Sequence, residues 1–390
     1  MSVSTPQDPQ TSSTPARDQP TGAQQVSTRP ETDAVAGPRT GVRRLVPGST
    51  LLKHLALMVL AFIGIVLIIE TVDPFRVTQL AAMAYYVPAV AGLTVLTGMS
   101  GQISLGHGAL MAVGAYTTAV LLQRVDGLPF LVVLLAAVLV TAAVGAVVGV
   151  AASRLHGPYL AGATLALAVG LPGLALYFQD QLGGEQGLRV RPPQPPDWLS
   201  NLFFFFTAKD LTPTKYVAYL CWAMALLVLL LLSNLLKSRV GRTWRAVRDD
   251  EVAAQLSGID LGRARVSAFV VSAVCAGVGG SLLAIVARLA APTGFTVTLS
   301  IYLLVAIVVG GLGSLVGALI GSALLVFLIP FVTDRGLQAG LSSSQAANAA
   351  PLVFGIFLIV VMLLAPQGLV GTVRLRFLQR RAARAAAARA

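Results

Sequence analysis

Ten apolar runs separated by short loops limit what this chain can become, because a helix needs roughly 20 apolar residues to cross the hydrocarbon of a bilayer. The runs fall at 51–69, 77–97, 101–122, 129–152, 158–178, 214–236, 266–288, 296–311, 313–332 and 351–369. In lipid every backbone N–H and C=O must find a partner within the protein, so each run is expected to be a helix. The expected fold class is all-α, a polytopic membrane protein with about 10 transmembrane helices, plus or minus one. Two places leave the count open. One is the division of 296–332 at Gly310-Gly311-Leu312-Gly313; the other is Gly98 to Gly108, which reads either as the start of a full span or as a re-entrant segment. Composition agrees, with 56% hydrophobic residues, 11% charged residues and a mean hydropathy of +0.79.

The net charge of +12 does not point to nucleic acid, because the cations lie in blocks beside the apolar runs. Lys and Arg in short loops stay on the cytoplasmic side. Arg39, Arg43, Arg44 and Lys53 precede the first run; Arg154 follows the fourth; Lys237, Arg239, Arg242, Arg245, Arg248, Arg263 and Arg265 follow the sixth; Arg374, Arg376, Arg380, Arg381, Arg384 and Arg389 follow the last. With the N-terminus inside, an even count places all four blocks in the cytoplasm and the 179–213 loop outside. The domain reading is a disordered cytoplasmic tail over 1–45, rich in Pro, Ser, Thr and Gln, a transmembrane domain over 46–371, and a basic cytoplasmic tail over 372–390. This tail is not expected to be a signal peptide, because no short apolar region with a small-residue cleavage site lies near its start.

Small residues recur at four-residue spacing in Gly145 and Gly149 and in Gly313, Gly317 and Gly321. In lipid such faces let helix backbones approach closely, so these are expected packing positions. Cys221 and Cys275 sit inside apolar runs without metal-ligand spacing, so no disulfide, metal site or cofactor is expected.

The spans hold almost no ionisable group. His107, in GQISLGHGAL, is the main one; Glu70, Asp73 and Arg76 lie at one span boundary and Arg288 at another. A carrier driven by protons or sodium is expected to keep an Asp or Glu within the membrane, and none lies well inside a span. An ATP-driven one needs GxxxxGK[ST], yet none of Lys53, Lys209, Lys215 and Lys237 follows glycine. The chain is therefore not expected to be an enzyme and has no catalytic residues to assign. If ATP drives it, another polypeptide hydrolyses the ATP.

One polar stretch stands out, RAVRDDEVAAQLSGID from Arg245 to Asp260, in the expected cytoplasmic loop 237–265. Asp249, Asp250 and Glu251 suit a helix's first turn, Gly258 suits its C-cap and Asp260 the N-cap of the next helix. Glu251, Ala254 and Gly258 share a face small enough for close contact with a partner. A helix merely lying in the lipid interface is the alternative.

The ExAAxxxG spacing of Glu251 to Gly258 resembles the EAA-type coupling loop of ABC importer permeases. Around it GMSGQISLGHGALMAVGAYTTAVL, RLHGPYLAGATLALA, GGEQGLRV, GRTWRAVRDDEVAAQLSGIDLGRARVSAFVVSAVCAGVGGSLLA, VVGGLGSLVGALIGSALL and APQGLVG run in order over about 80–371. The chain is similar in them to the branched-chain amino acid ABC permease family, to the longer of its two paired permeases. The resemblance implies a homologous second permease subunit, two cytoplasmic ATP-binding subunits and an extracytoplasmic solute-binding protein, in a bacterial cell membrane. It marks Gln102, Ser104 and His107 as expected translocation-pathway residues, with a packed histidine the alternative for His107, and gives the coupling role to Arg245, Arg248, Glu251, Ala254 and Gly258. Two departures are the long N-terminal tail and the outer segment GGEQGLRVRPPQPP, where the family usually shows a single proline after GGxxGL. Related permeases carry urea or short amides, and a self-sufficient channel for a small neutral solute is the alternative from another class.

Gln102 and Ser104 lie two apart, about 200° around a helix at 100° per residue. If both face one pathway the segment is not regular helix, and a break is expected near Gly101. GQISLGHGAL and GGLGSLVGAL also echo each other, a hint of an internal repeat, both beginning at the inner side in this threading.

Overall fold

The computed structural model describes residues 50–387 apart from 126, 156, 208, 209, 366 and 367. The 1–45 tail expected from composition lies outside the described residues. The long helices are α1 (Thr50–Thr71), α2 (Pro74–Leu93), α3 (His107–Arg124), α4 (Phe130–Ser153) and α5 (Pro158–Tyr177). A short α6 (Gln179–Leu182), strand β1 (Leu188–Arg189) and α7 (Asp197–Thr207) follow. After α8 (Pro213–Lys237) come two short helices, α9 (Arg239–Asp249) and α10 (Glu251–Leu256). The chain ends with α11 (Leu261–Ala287), β2 (Leu289–Ala290), α12 (Val297–Gly310), α13 (Leu315–Gln338), α14 (Ser343–Leu364) and α15 (Gly368–Ala387).

By length and hydropathy, nine helices among the described residues suffice to cross a bilayer. The expected third span, 101–122, is the difference. Its helix α3 begins only at His107 and is 18 residues long with polar ends, while residues 101–106 are irregular. The chain nevertheless runs from one end of the helix bundle to the other through this stretch, as contacts at the two ends show. His54 of α1 meets Asn234 near the C-terminus of α8 at 3.1 Å, and Glu70, at the other end of α1, meets Lys215 near the start of α8 at 2.7 Å. Residue Gly98, after α2, meets Arg248 of α9, whereas Gln123 near the end of α3 donates to the Arg189 carbonyl of β1 at 2.8 Å. The irregular segment and α3 together thus carry the chain from the α9–α10 end to the β1 end. Arg265 at the start of α11 bonds the Ser153 carbonyl closing α4, and β2 follows the far end of α11. The basic stretches Lys237–Arg265 and Arg154 therefore share one end, and β1, β2 and the 179–213 loop lie at the other.

The centre is α11, 78% buried over its span, ringed by α2, α3 and α4, whereas α1 is 6% buried and rides on the outside. Close backbone approach at glycines lets the helices of this core pack tightly around its buried side chains. A Cβ on Gly280 of α11 would lie 1.8 Å from the Met111 carbonyl oxygen of α3, and one on Gly114 2.4 Å from the carbonyl oxygen of Gly277. Without a hydrophobic force between helices in lipid, such contact supplies the van der Waals attraction, and Thr118 to Ser281 at 2.7 Å adds a buried polar tie. Gly145 and Gly149 face Ala273 and Phe269 of α11, and Gly317 and Gly321 face α12 through Gly310 and Ala306. Gly313 is a correction to the packing stripe. It lies in the α12–α13 turn at φ 81, outside any helix, where a Cβ on Gly98 would come within 2.3 Å of its nitrogen. That contact sets the two echoing segments, 101–110 and 310–319, beside each other at one end.

The polar stretch is two helices rather than one. Asp250, extended at φ −157 and ψ 108, stops α9 and N-caps α10, its carboxylate accepting from Val252 N–H at 2.9 Å and Ala253 N–H at 3.0 Å. Gly258 closes α10 at φ 80, with Gly258 N–H to Gln255 O at 2.9 Å and Ile259 N–H to Ala254 O at 3.1 Å, a Schellman end. Asp260 then caps α11, accepting from Arg263 N–H at 3.0 Å.

Candidate functional site

The helix break expected near Gly101 is present, and its backbone bonding shows how the helix comes undone. After α2 the residues Thr94–Met99 form a π turn, Ser100 N–H reaches back five residues to Val95 O, and Gln102 N–H reaches back six to Leu96 O at 3.1 Å. The ring widens until Gly101, at φ 74, turns the chain out of the helix. Non-helical backbone at this depth survives only where protein satisfies its polar groups. Here side chains of two other helices and of the segment itself do so. Leu105 N–H donates to Thr164 Oγ1 of α5 at 3.0 Å, Gly108 N–H to Ser300 Oγ of α12 at 3.0 Å, and Gly106 N–H to Ser104 Oγ at 3.3 Å. Thr97 Oγ1 donates to Gln102 O at 3.1 Å, and His107 Nε2 lies 2.9 Å from the Ala89 carbonyl oxygen of α2.

Gln102, Ser104 and His107 are all brought into this one buried knot. Gln102 Nε2 donates to Ser100 Oγ at 2.8 Å and to the Arg265 carbonyl of α11 at 3.1 Å. Two buried polar atoms, Gln102 Oε1 and His107 Nδ1, have no hydrogen-bond partner. A buried acceptor or ring nitrogen without a partner carries a desolvation cost of about 1–3 kcal/mol. Ile103, between them, is half exposed.

The α9–α10 layer sits directly against the break. Trp244, fully buried with Nε1 donating to Ser267 Oγ at 3.0 Å, and Val247 seat α9 on α11. Arg245 turns inward, Nη2 to Leu236 O at 2.8 Å and Nε to Gly241 O at 3.1 Å, where it closes the carbonyl end of α8. Arg248 donates to the Gly98 carbonyl with Nη1 while Nη2 holds Asp249 at 2.7 Å, and its Cγ would be 3.1 Å from a Cβ on Gly101. Glu251 also points inward, to the Arg265 guanidinium at 2.6 Å; that guanidinium is 8% exposed and reaches Ser153 O at 3.2 Å. Two lines thus run from the layer to the break, one through Arg248 to Gly98 and one through Glu251 and Arg265 to Gln102.

The face drawn through Glu251, Ala254 and Gly258 differs in direction from the expected contact face. Ala254 is buried and Glu251 is paired to α11, so these two turn toward the protein's own helices, while a Cβ on Gly258 would meet open space. The outward side carries Val252 and Leu256, exposed by 68% and 85%. Their four-residue spacing in a polar stretch was the available signal for an apolar knob. Arg265 was harder to find, because in sequence it is one more cation in a basic block.

The chain matches the family described as branched-chain amino acid transport system / permease component over residues 76–366. It is 32% identical over 360 residues to a high-affinity branched-chain amino acid transport system permease protein, LivM, of Salmonella typhimurium, covering 87% of this chain and 80% of that protein. The LivM protein of Escherichia coli is 31% identical over the same shares of both chains. A high-affinity branched-chain amino acid transport system permease protein, LivH, of Salmonella typhimurium is 27% identical over 73% of this chain and 91% of its own. No solved structure matches.

Proposed function

Since the chain belongs to the branched-chain amino acid transport permease family, we propose that it is the transmembrane subunit of an ATP-driven importer for branched-chain or similar hydrophobic amino acids. It is a multi-pass protein of the bacterial membrane. The relatives reported above are named for branched-chain amino acids, which favours these solutes over urea or short amides. In this reading the Lys237–Arg265 end is cytoplasmic, the 179–213 loop is outside, and a homologous permease subunit completes the pathway. A solute-binding protein delivers the amino acid, and two ATP-binding subunits supply the energy that a chain without a P-loop lacks.

The observation that carries the reading is the wiring of α9 and α10 to the helix break. A channel has no need of a surface layer that grips its broken helix at two points. A motor-driven permease does, because a push on α9–α10 must reach the pathway. Val252 and Leu256 make the apolar contact with the ATP-binding subunit, Glu251, Ala254 and Arg248 pass displacement inward, and Arg245 and Gly258 fix the helix ends. Gln102, Ser104 and His107 line or gate the pathway as the break rearranges. The motion is then a switch between two hydrogen-bonded arrangements rather than a continuous deformation.

Reconstitution tests this. Leucine uptake into liposomes should require the second permease, the ATP-binding subunits, the binding protein and ATP together. Leucine flux through this chain alone would overturn the importer reading in favour of a facilitator.

A further inference from the structure

At the end opposite α9–α10, a cavity of about 840 Å³ is lined by Arg189, Arg191 and Arg288 together with Gln123 and apolar residues, and no carboxylate is among the described residues that line it. Among the described residues none of the three arginines makes an ion pair or a side-chain hydrogen bond. They are held in place by their backbones. Leu188–Arg189 pairs antiparallel with Leu289–Ala290, Val190 N–H donates to Arg288 O at 3.0 Å, and Gln123 of α3 bonds Arg189 O. Arg189 and Arg191, two apart on extended chain, share a face. A regular ribbon would send Arg288, opposite Val190, to the other face. Instead Arg288 adopts φ 57, and it is the one described non-glycine residue with positive φ. Arg288 is the left-handed C-cap of α11, so the turn that ends the helix also brings this side chain into the same cavity. The segment that supplies Arg189 and Arg191, GLRVRPPQPP, is the outer departure from the family pattern, and its prolines stiffen the rim.

Three clustered cations raise the energy of the folded chain unless something negative joins them. They also lie on the side from which Lys and Arg of short loops are normally withheld. A free amino acid matches this chemistry less well than a carboxylate side chain, because its ammonium group would find no anion among the described lining residues. We propose that the basin receives carboxylate side chains from the solute-binding protein, docking that protein over the outer ends of α3 and α11. This rests on the importer reading and its orientation. Docking then bears on α3, whose other end is the helix break.

The test uses the complete reconstituted importer in phosphatidylcholine vesicles, with leucine uptake measured against the concentration of leucine-loaded binding protein. R191Q and R288G each remove a charge, and glycine keeps the φ of residue 288 without strain. Each should raise the half-saturating binding-protein concentration about tenfold, as loss of one close charge pair does. Raising NaCl from about 50 to about 300 mM should do the same to the wild type and little to the double variant. Lysine-for-glutamate exchange on the binding protein should restore uptake by R191E. Unchanged half-saturation in R191Q and R288G, with wild-type uptake still dependent on binding protein, would overturn the basin alone. Wild-type uptake without binding protein would overturn the importer reading and the basin's partner with it. Effects that follow phosphatidylglycerol content instead of binding-protein concentration would make the basin a lipid site and overturn the proposal.

Discussion

Replacing Glu251 by alanine should separate ATP hydrolysis from transport while leaving the ATP-binding subunit attached. The carboxylate lies 2.6 Å from an Arg265 guanidinium that is 8% exposed, whereas Glu251 itself is 48% exposed. A fully exposed pair is worth about 0–1 kcal/mol, and removing one partner of a fully buried pair costs about 3–5 kcal/mol. A pair with one end buried and one half open falls between, at about 2 kcal/mol, which is a weakening of roughly thirtyfold in any equilibrium that depends on the tie. Arg265 would keep the Ser153 carbonyl, and Gln102 would keep the Arg265 carbonyl, so the fold should persist with a lowered Tm. The second line, Arg248 to Gly98, would then carry displacement alone. In reconstituted importers, leucine uptake per ATP hydrolysed should fall at least several-fold, and co-purification of the ATP-binding subunit should stay at the wild-type level. Glu251→Gln, which keeps an acceptor but not the charge, should be intermediate. The double change of Glu251 and Arg265 to methionine should recover Tm, since two apolar groups replace an ion pair, without recovering transport. Wild-type coupling in Glu251→Ala, or loss of the ATP-binding subunit from it, would refute the inward role given to this residue.

Leu256→Asp should have the opposite signature, with loss of the ATP-binding subunit in pull-downs while the variant inserts and keeps its Tm, because the side chain is 85% exposed and leaves no cavity. Gly280→Ala should lower Tm in detergent sharply, since a Cβ 1.8 Å from Met111 O forces α3 and α11 apart; overpacking of this kind costs typically 1–3 kcal/mol or more. Ser300→Ala strands the Gly108 N–H at the start of α3 and should cost about 1–3 kcal/mol in unfolding stability. Gly101→Ala, forced to adopt φ 74 and to sit 3.1 Å from Arg248 Cγ, should lose about 1–2 kcal/mol and show altered coupling.

The passes through the bilayer were legible because each depends on a run of local apolar residues and on loop charge, both written along the chain. So were the caps at Gly258 and Asp260, where one residue's geometry decides the turn. The break at Gly101 was legible for another reason: Gln102 and Ser104 could not share a pathway on one helix, and the glycines allowed the chain to bend. The π turn before it was not, since nothing local in Thr94–Met99 shows that Arg248 holds Gly98 within it and that Arg265 and Thr164 hold Gln102 and Leu105 beyond it. The β1–β2 ribbon has strands of two residues, too short for any periodicity, and its pairing joins residues about a hundred positions apart. Arg265 and Glu251 lie in separate helices, so their pairing could not be seen in either stretch alone. Val252 and Leu256 carried a local signal of an exposed apolar side, but the small residues of the same helix drew attention to the side that turns toward the protein's own helices.

The central claim is that α9–α10 controls the helix break, and a distance across the break measures it most directly. Ile103 and Leu312 are both about half exposed at the basic end, while the native Cys221 and Cys275 are buried and will not compete for label. Spin labels at cysteines introduced at 103 and 312 should show a distance distribution that shifts when ATP is added to the complete importer. The same labels in the Glu251→Ala, Arg248→Ala background should not respond to ATP although the ATP-binding subunits remain bound. A shift that survives loss of both ties would contradict the account.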